Sequence, residues 1–143
     1  MRLVQTDQSI TLVTSAAGLI DFVVMNTVSS ASAGDVTIAD GNTEFGEISS
    51  AATTTIMSVP GSASQRKQAT DVTIRNAHAT VTNTVTVLFN DTSASLDLEV
   101  AKATLAPGEA LTYTQSGGWA KLDANGVQVT GPKATPTPSD IQI

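Results

Sequence analysis

The stretch Val81-Thr82-Asn83-Thr84-Val85-Thr86-Val87-Leu88-Phe89 decides the fold class. Val81, Val85, Val87 and Phe89 fall on one side of an extended chain, and Thr82, Thr84 and Thr86 on the other. This period of two belongs to a half-buried β-strand. Asn90-Asp91 then reads as a turn. After it, Leu96, Leu98 and Val100 are expected to face in and Asp97 and Glu99 to face out. The two segments together predict an antiparallel pair.

The same reading extends in both directions. Towards the N-terminus, Ser9-Ile10-Thr11-Leu12-Val13-Thr14, Leu19-Ile20-Asp21-Phe22-Val23-Val24-Met25, Val36-Thr37-Ile38, Thr53-Thr54-Thr55-Ile56-Met57-Ser58-Val59 and Asp71-Val72-Thr73-Ile74-Arg75-Asn76 predict strands. Residues 29–34 are small and read as loose, and residues 62–67 read as a polar loop. Towards the C-terminus, Leu111-Thr112-Tyr113-Thr114 and Trp119-Ala120-Lys121-Leu122 flank Ser116-Gly117-Gly118 and predict a hairpin. Eight to ten short strands with frequent turn signals predict an all-β antiparallel sandwich, a jelly roll or related Greek key. No sustained 3.6-residue apolar stripe competes with that reading.

Composition agrees. The chain has 143 residues, enough for one domain, and holds 22 Thr, 19 Ala, 14 Ser and 14 Val. Thr and Val are stiff at χ1 and suit a pleated surface. Only five residues are aromatic: Phe22, Phe45, Phe89, Tyr113 and Trp119. A core so poor in aromatics predicts burial against neighbouring subunits. The domain is expected over residues 1–129. Residues 130–143, which hold Pro132, Pro136 and Pro138, read as an extended arm ending in Ile141 and Ile143.

Charge and residue content exclude many functions. The net charge is -6, which opposes a broad nucleic-acid interface. There is no cysteine and one histidine, His78, so thiolate chemistry and a multi-histidine metal site are outside the chain's means. No apolar run reaches the roughly 18 residues of a membrane span. Residues 1–7 turn polar too early for a signal peptide. No phosphate loop, dinucleotide fingerprint or nucleophile elbow is present. His78, in Asn76-Ala77-His78-Ala79-Thr80, reads as an exposed loop histidine.

Three weaker signals have simpler readings. Asp40-Gly41-Asn42-Thr43-Glu44 opens like a calcium loop, but position six is Phe45 and position twelve is Ala51, so an acidic turn is expected. Asp97 and Glu99 lie about 7 Å apart on a strand face, as an inverting glycosidase would need, yet a solvated outer face explains them. Tyr113 and Trp119 are expected to pack across their hairpin rather than form a sugar platform. No catalytic residue, cofactor or metal is expected, and Asn90-Asp91-Thr92 is a sequon only in a secretory context.

Across residues 53 to about 127, an ordered series of segments resembles small structural proteins of tailed-bacteriophage virions. Gln65-Arg66 with Asp71-Val72-Thr73-Ile74-Arg75-Asn76 is similar to a "QR … LTIRN" pattern, and Thr82-Asn83-Thr84-Val85-Thr86-Val87 to "SNTVTV". Thr104-Leu105-Ala106-Pro107-Gly108-Glu109-Ala110-Leu111-Thr112-Tyr113, with Gly117-Gly118-Trp119 and Asp123-Ala124-Asn125-Gly126, is similar to "LAPGE-LxY … GW … DAxG". The resemblance implies a virion β-sandwich of the head decoration or cement type. Such a protein would be a homotrimer on the outer capsid surface that bridges major capsid subunits. The alternative it implies is a tail, baseplate or fibre component that binds a host. Expected contact elements are Met1 to Asp7 with Arg2 and Leu3, the Ser62 to Lys67 loop with Arg66 and Lys67, and the Thr130 to Ile143 arm with Pro132, Pro136, Pro138, Ile141 and Ile143.

Overall fold

The computed structural model describes residues 1–32, 35–38 and 41–129. All regular structure there is strand. In chain order the strands are β1 (Arg2–Leu3), β2 (Gln8–Thr14), β3 (Ile20–Ser32), β4 (Asp35–Ile38), β5 (Asn42–Ile48), β6 (Thr53–Met57), β7 (Gln65–Asn76), β8 (Asn83–Asp91), β9 (Leu96–Leu105), β10 (Ala110–Thr114), β11 (Gly118–Leu122) and β12 (Gln128–Val129).

They form two antiparallel sheets packed as a sandwich. The smaller runs β6-β2-β8-β9. The larger runs β12-β11-β10-β7-β3-β4, with β5 also on β3 and β1 also on β7. Register explains the double occupancy. β5 pairs with residues 20–26 of β3 and β4 with residues 29–32, so β4 and β5 lie end to end. In the same way β1 and β10 share one edge of β7. The chain crosses between sheets after β1, β2, β5, β6, β7 and β9, the long-range connectivity of a Greek-key sandwich.

The core follows from the alternation. Ile10 and Leu12 of β2, Phe22 and Val24 of β3, Val72 and Ile74 of β7, and Val85 and Val87 of β8 meet between the sheets with Leu3, Ile56, Met57, Leu105 and Leu111. Phe22 is the one aromatic fully inside, and Phe89, Tyr113 and Trp119 pack at the margin. Gly46 stands opposite Phe22 on β5. A Cβ there would lie 3.0 Å from two ring carbons, so the missing side chain makes room for the ring.

Buried amides hold the loops to this core. Asn76 donates through Nδ2 to Val81 O and Leu105 O, both at 2.8 Å, and accepts from His78 N at 3.0 Å. Asn83 accepts from Ser15 N and donates to Ala16 O, each at 2.9 Å. Each amide replaces the ladder bonds that the neighbouring loop backbone lacks.

Several expectations need correction. Residues 29–32 are strand, paired to β4 and β7, because small residues suit a site flanked by backbone on both sides. The polar loop ends at Ser64, and Arg66 and Lys67 belong to β7. Asn90 and Asp91 continue β8, and the reversal falls at residues 92–95, where Ser95 takes φ 52°. Leu96, Leu98 and Val100 are 44%, 49% and 37% exposed. Leu98 is in register with Phe89 and shares its face, but β9 is an edge strand, and a bulge opposite Val87 and Leu88 leaves Val100 as an extra residue that breaks the alternation. Alternation identifies a face, and coverage depends on what lies opposite it. The arm over residues 130–143 lies outside the described residues, as do Ala33, Gly34, Ala39 and Asp40.

Candidate interaction surfaces

Two of the three segments expected to make contacts meet in space. Residues 4–7 follow β1, and residue 63 and Arg66 lie around the start of β7. With Ser93 from the β8–β9 turn they line one open hollow of about 590 Å³ at an end of the sandwich. Gln8, next to Asp7, ties the lining segments together. Its Oε1 accepts from Val4 N at 2.9 Å and Gln5 N at 3.2 Å, and its Nε2 donates to Asp91 Oδ2 at 3.2 Å. The Asp91 carboxyl is held below its ordinary range, first by Ser93 Oγ at 2.8 Å and then by Gln8. Thr92 N bonds Asp7 O at 3.1 Å, which ties the turn to the N-terminal segment.

The hollow is polar and has unmet hydrogen-bonding capacity. Arg66 is half-buried and spends Nη1 on Ala63 O and Gln65 O, each at 3.0 Å. Arg66 also lines the hollow. Asp7 Oδ1 is shielded from solvent with no hydrogen-bond partner. A shielded oxygen without a donor is costly to bury. Beside this end, through the Gln8–Asp91–Leu96 register, runs the exposed apolar edge of β9.

The other expected contact residues separate. Arg2 is exposed on β1, opposite Gln68. Leu3 is 0% exposed and belongs to the core. Lys67 points into the sandwich, where its side chain is 7% exposed and its Nζ contacts Glu44 Oε2 at 3.0 Å. Neither Leu3 nor Lys67 presents a side chain to an outside partner. Pro132, Pro136, Pro138, Ile141 and Ile143 lie outside the described residues. The N-terminal ammonium donates to Tyr113 Oη at 3.0 Å, and burial lowers its pKa.

The chemical candidates resolve into structural roles. His78 Nδ1 accepts from Thr80 N at 3.1 Å and Val81 N at 3.0 Å, so this half-buried ring closes its own loop. Glu44, from the acidic turn, is committed to Lys67 and Ser58. Asp97 accepts from Asn90 Nδ2 and stays on the solvated face with Glu99. Tyr113 and Trp119 stand in register across their hairpin with ring centroids 5.1 Å apart, turned towards the core. Among the described residues, no three His, Asp or Glu side chains gather as a metal site. No helix there is long and apolar enough to cross a membrane.

A second surface lies on β3: residues 19–25 are apolar on both faces apart from Asp21 and so suit a central or contact-covered strand. Val23, Met25 and Phe45 are 40%, 48% and 75% exposed on the outward face of the larger sheet. The signal was present: β3 is apolar at consecutive positions, which requires a partner on each face or leaves one face bare.

No protein-family model matches this chain. Neither the curated proteins nor the solved structures provide a match.

Proposed function

We propose that this chain is a structural protein of a phage virion, a decoration or cement protein that binds the outside of the mature head. It acts as a homotrimer and stabilises the shell by bridging major capsid subunits. One observation carries the reading beside the sequence resemblance. The N-terminal segment and the Arg66 region, nominated as contacts from sequence, converge on one hollow beside an exposed apolar edge strand.

The physics of cementing asks little more than this. Arg66 takes an acceptor from the capsid subunit, and β9 offers unpaired backbone and leucine side chains to a neighbouring strand. Binding confined to the expanded shell stabilises that state by mass action. Many copies acting together resist internal pressure through avidity.

The test starts with mass in solution by light scattering. The protein is then added to mature capsids that lack it, and the particles are imaged. A trimer with regular density at local three-fold positions supports the reading. Arg66→Glu should weaken capsid affinity about tenfold, the cost of about 1.4 kcal/mol at an interface charge. Deleting residues 131–143 should weaken trimer or capsid binding and leave the sandwich folded. Bare heads with labelled tails would replace this reading with a tail, baseplate or fibre component.

A further inference from the structure

The outward face of the larger sheet carries a path from one edge to the other. Register sets Phe45 of β5 beside Val23 of β3, then Thr73 of β7, Thr112 of β10 and Ala120 of β11. Directly opposed residues share a face, so these five form one row across the strands, and the row holds no charge. Its β5 end is the bare apolar patch of Phe45, Val23 and Met25. There Val23 and Phe45 line an open hollow of about 640 Å³, with Asp21, Thr43 and Glu47 around it. A contiguous exposed patch of this kind marks a docking surface.

The other end of the row is where the described chain stops. β12 pairs with β11 so that Val129 stands opposite Lys121, next to Ala120. From β12 the strands run β11, β10, β7, β3 and β5, five steps of about 4.8 Å, or about 24 Å. Residues 130–143 begin at this point. Pro132, Pro136 and Pro138 favour an extended chain that advances about 3.1 Å per residue, so Ile141 can lie about 37 Å from Val129. The reach exceeds the need, with slack for the route. Gln142 separates Ile141 from Ile143, so an extended backbone presents both isoleucines on one edge.

We propose that residues 140–143 dock on the outer face of their own sheet, with Ile141 and Ile143 packed on Phe45, Val23 and Met25. The arm is then a strap over the larger sheet that shields the patch in the free protein. Tethering favours the same chain over a second copy, because the local concentration of a short linked segment is in the millimolar range. This inference does not depend on a role in a virion.

The chain has no cysteine, so introduced pairs report cleanly. Two full-length variants are compared under mild oxidation at low protein concentration: Thr43→Cys with Ile143→Cys, and Thr114→Cys with Ile143→Cys. Position 143 shares the docking edge with Ile141, which is kept. Thr43 is in register with Met25, whereas Thr114 lies on β10, nearer the point of exit. A freely moving arm favours the nearer site. A docked strap forms the 43–143 disulfide about tenfold faster within one chain, through its raised effective concentration. Adding Phe45→Ser removes the advantage, as does Ile141→Asp, which leaves the sandwich untouched. Equal rates, a faster 114–143 bond, insensitivity to both substitutions, or disulfides formed only between chains would each overturn the proposal.

Discussion

Lys67 Nζ lies 3.0 Å from Glu44 Oε2, and the pair joins β7 to β5 across β3 within the sandwich. The ammonium also donates to Ser58 O at 3.0 Å and Ser58 Oγ at 2.8 Å, so its three protons each have an acceptor. Glu44 in turn accepts from Ser58 N at 2.9 Å and Asn26 Nδ2 at 3.1 Å. One ion pair therefore fixes four segments, and Asn26 Oδ1 is left buried without a partner.

Lys67→Met removes the cation and leaves Glu44 enclosed with too few donors. Folding stability should fall by about 3 kcal/mol, as expected when one member of a buried pair is lost. Lys67→Met with Glu44→Met should recover much of the loss, since no charge then remains to be solvated. Urea denaturation of both variants measures the difference, and equal losses would contradict the role assigned to Glu44.

The same cluster makes stability pH-dependent. Burial pushes the Glu44 carboxyl up, but hydrogen bonds from Ser58 and Lys67, with the Lys67 charge, outweigh it and hold the pKa below its ordinary value. A carboxyl depressed in the folded state adds stability above its unfolded pKa, and loses it as pH falls through the folded one. Stability should thus decline on acidification below about pH 4.5. Denaturation midpoints measured against pH should show a shallower acid limb for Glu44→Gln.

Asn76→Asp keeps the shape of the side chain and removes both donated protons. Val81 O and Leu105 O then lose their partner and face a carboxylate at a fully buried site. The cost should be about 3 kcal/mol or more. Asn76→Ala should cost less, because it leaves the carbonyls unpaired without adding a charge. Thermal unfolding of the two variants ranks them.

Gly46→Ala brings a methyl group to 3.0 Å from Phe22 Cε1 and Cζ. The ring is 7% exposed and enclosed by the core, so it yields only by repacking. A loss of about 1–2 kcal/mol is expected. Gly46→Ala with Phe22→Leu should cost less than the sum of the two single changes, which a double-mutant cycle tests.

The sequence made some of this plain. β2 and β8 follow from alternation alone, and the β10–β11 hairpin from Ser116-Gly117-Gly118, with Gly118 at φ 70°. Lys67 was illegible because its partner, Glu44, is 23 residues away and no local pattern announces an inward lysine. Leu3 lies in a two-residue strand, too short to show a period. Leu98 has the right alternation but lies on an edge strand interrupted by a bulge. The Arg66 hollow was legible only in part: its two segments could be named, while their meeting depends on β1 pairing with β7 some 65 residues later.

Strand β2 has both its partners downstream, β6 and β8. On a ribosome Ile10 and Leu12 emerge early, yet their main partner strand is complete only at Asp91. At about 5–20 residues per second, the wait after Thr14 is roughly 4–15 s. The smaller sheet therefore grows in steps, with β6 closing one edge of β2 first, β8 the other edge later, and β9 adding to β8 last. Nascent chains stalled between β6 and β8 carry one open edge of β2 and should be the aggregation-prone species.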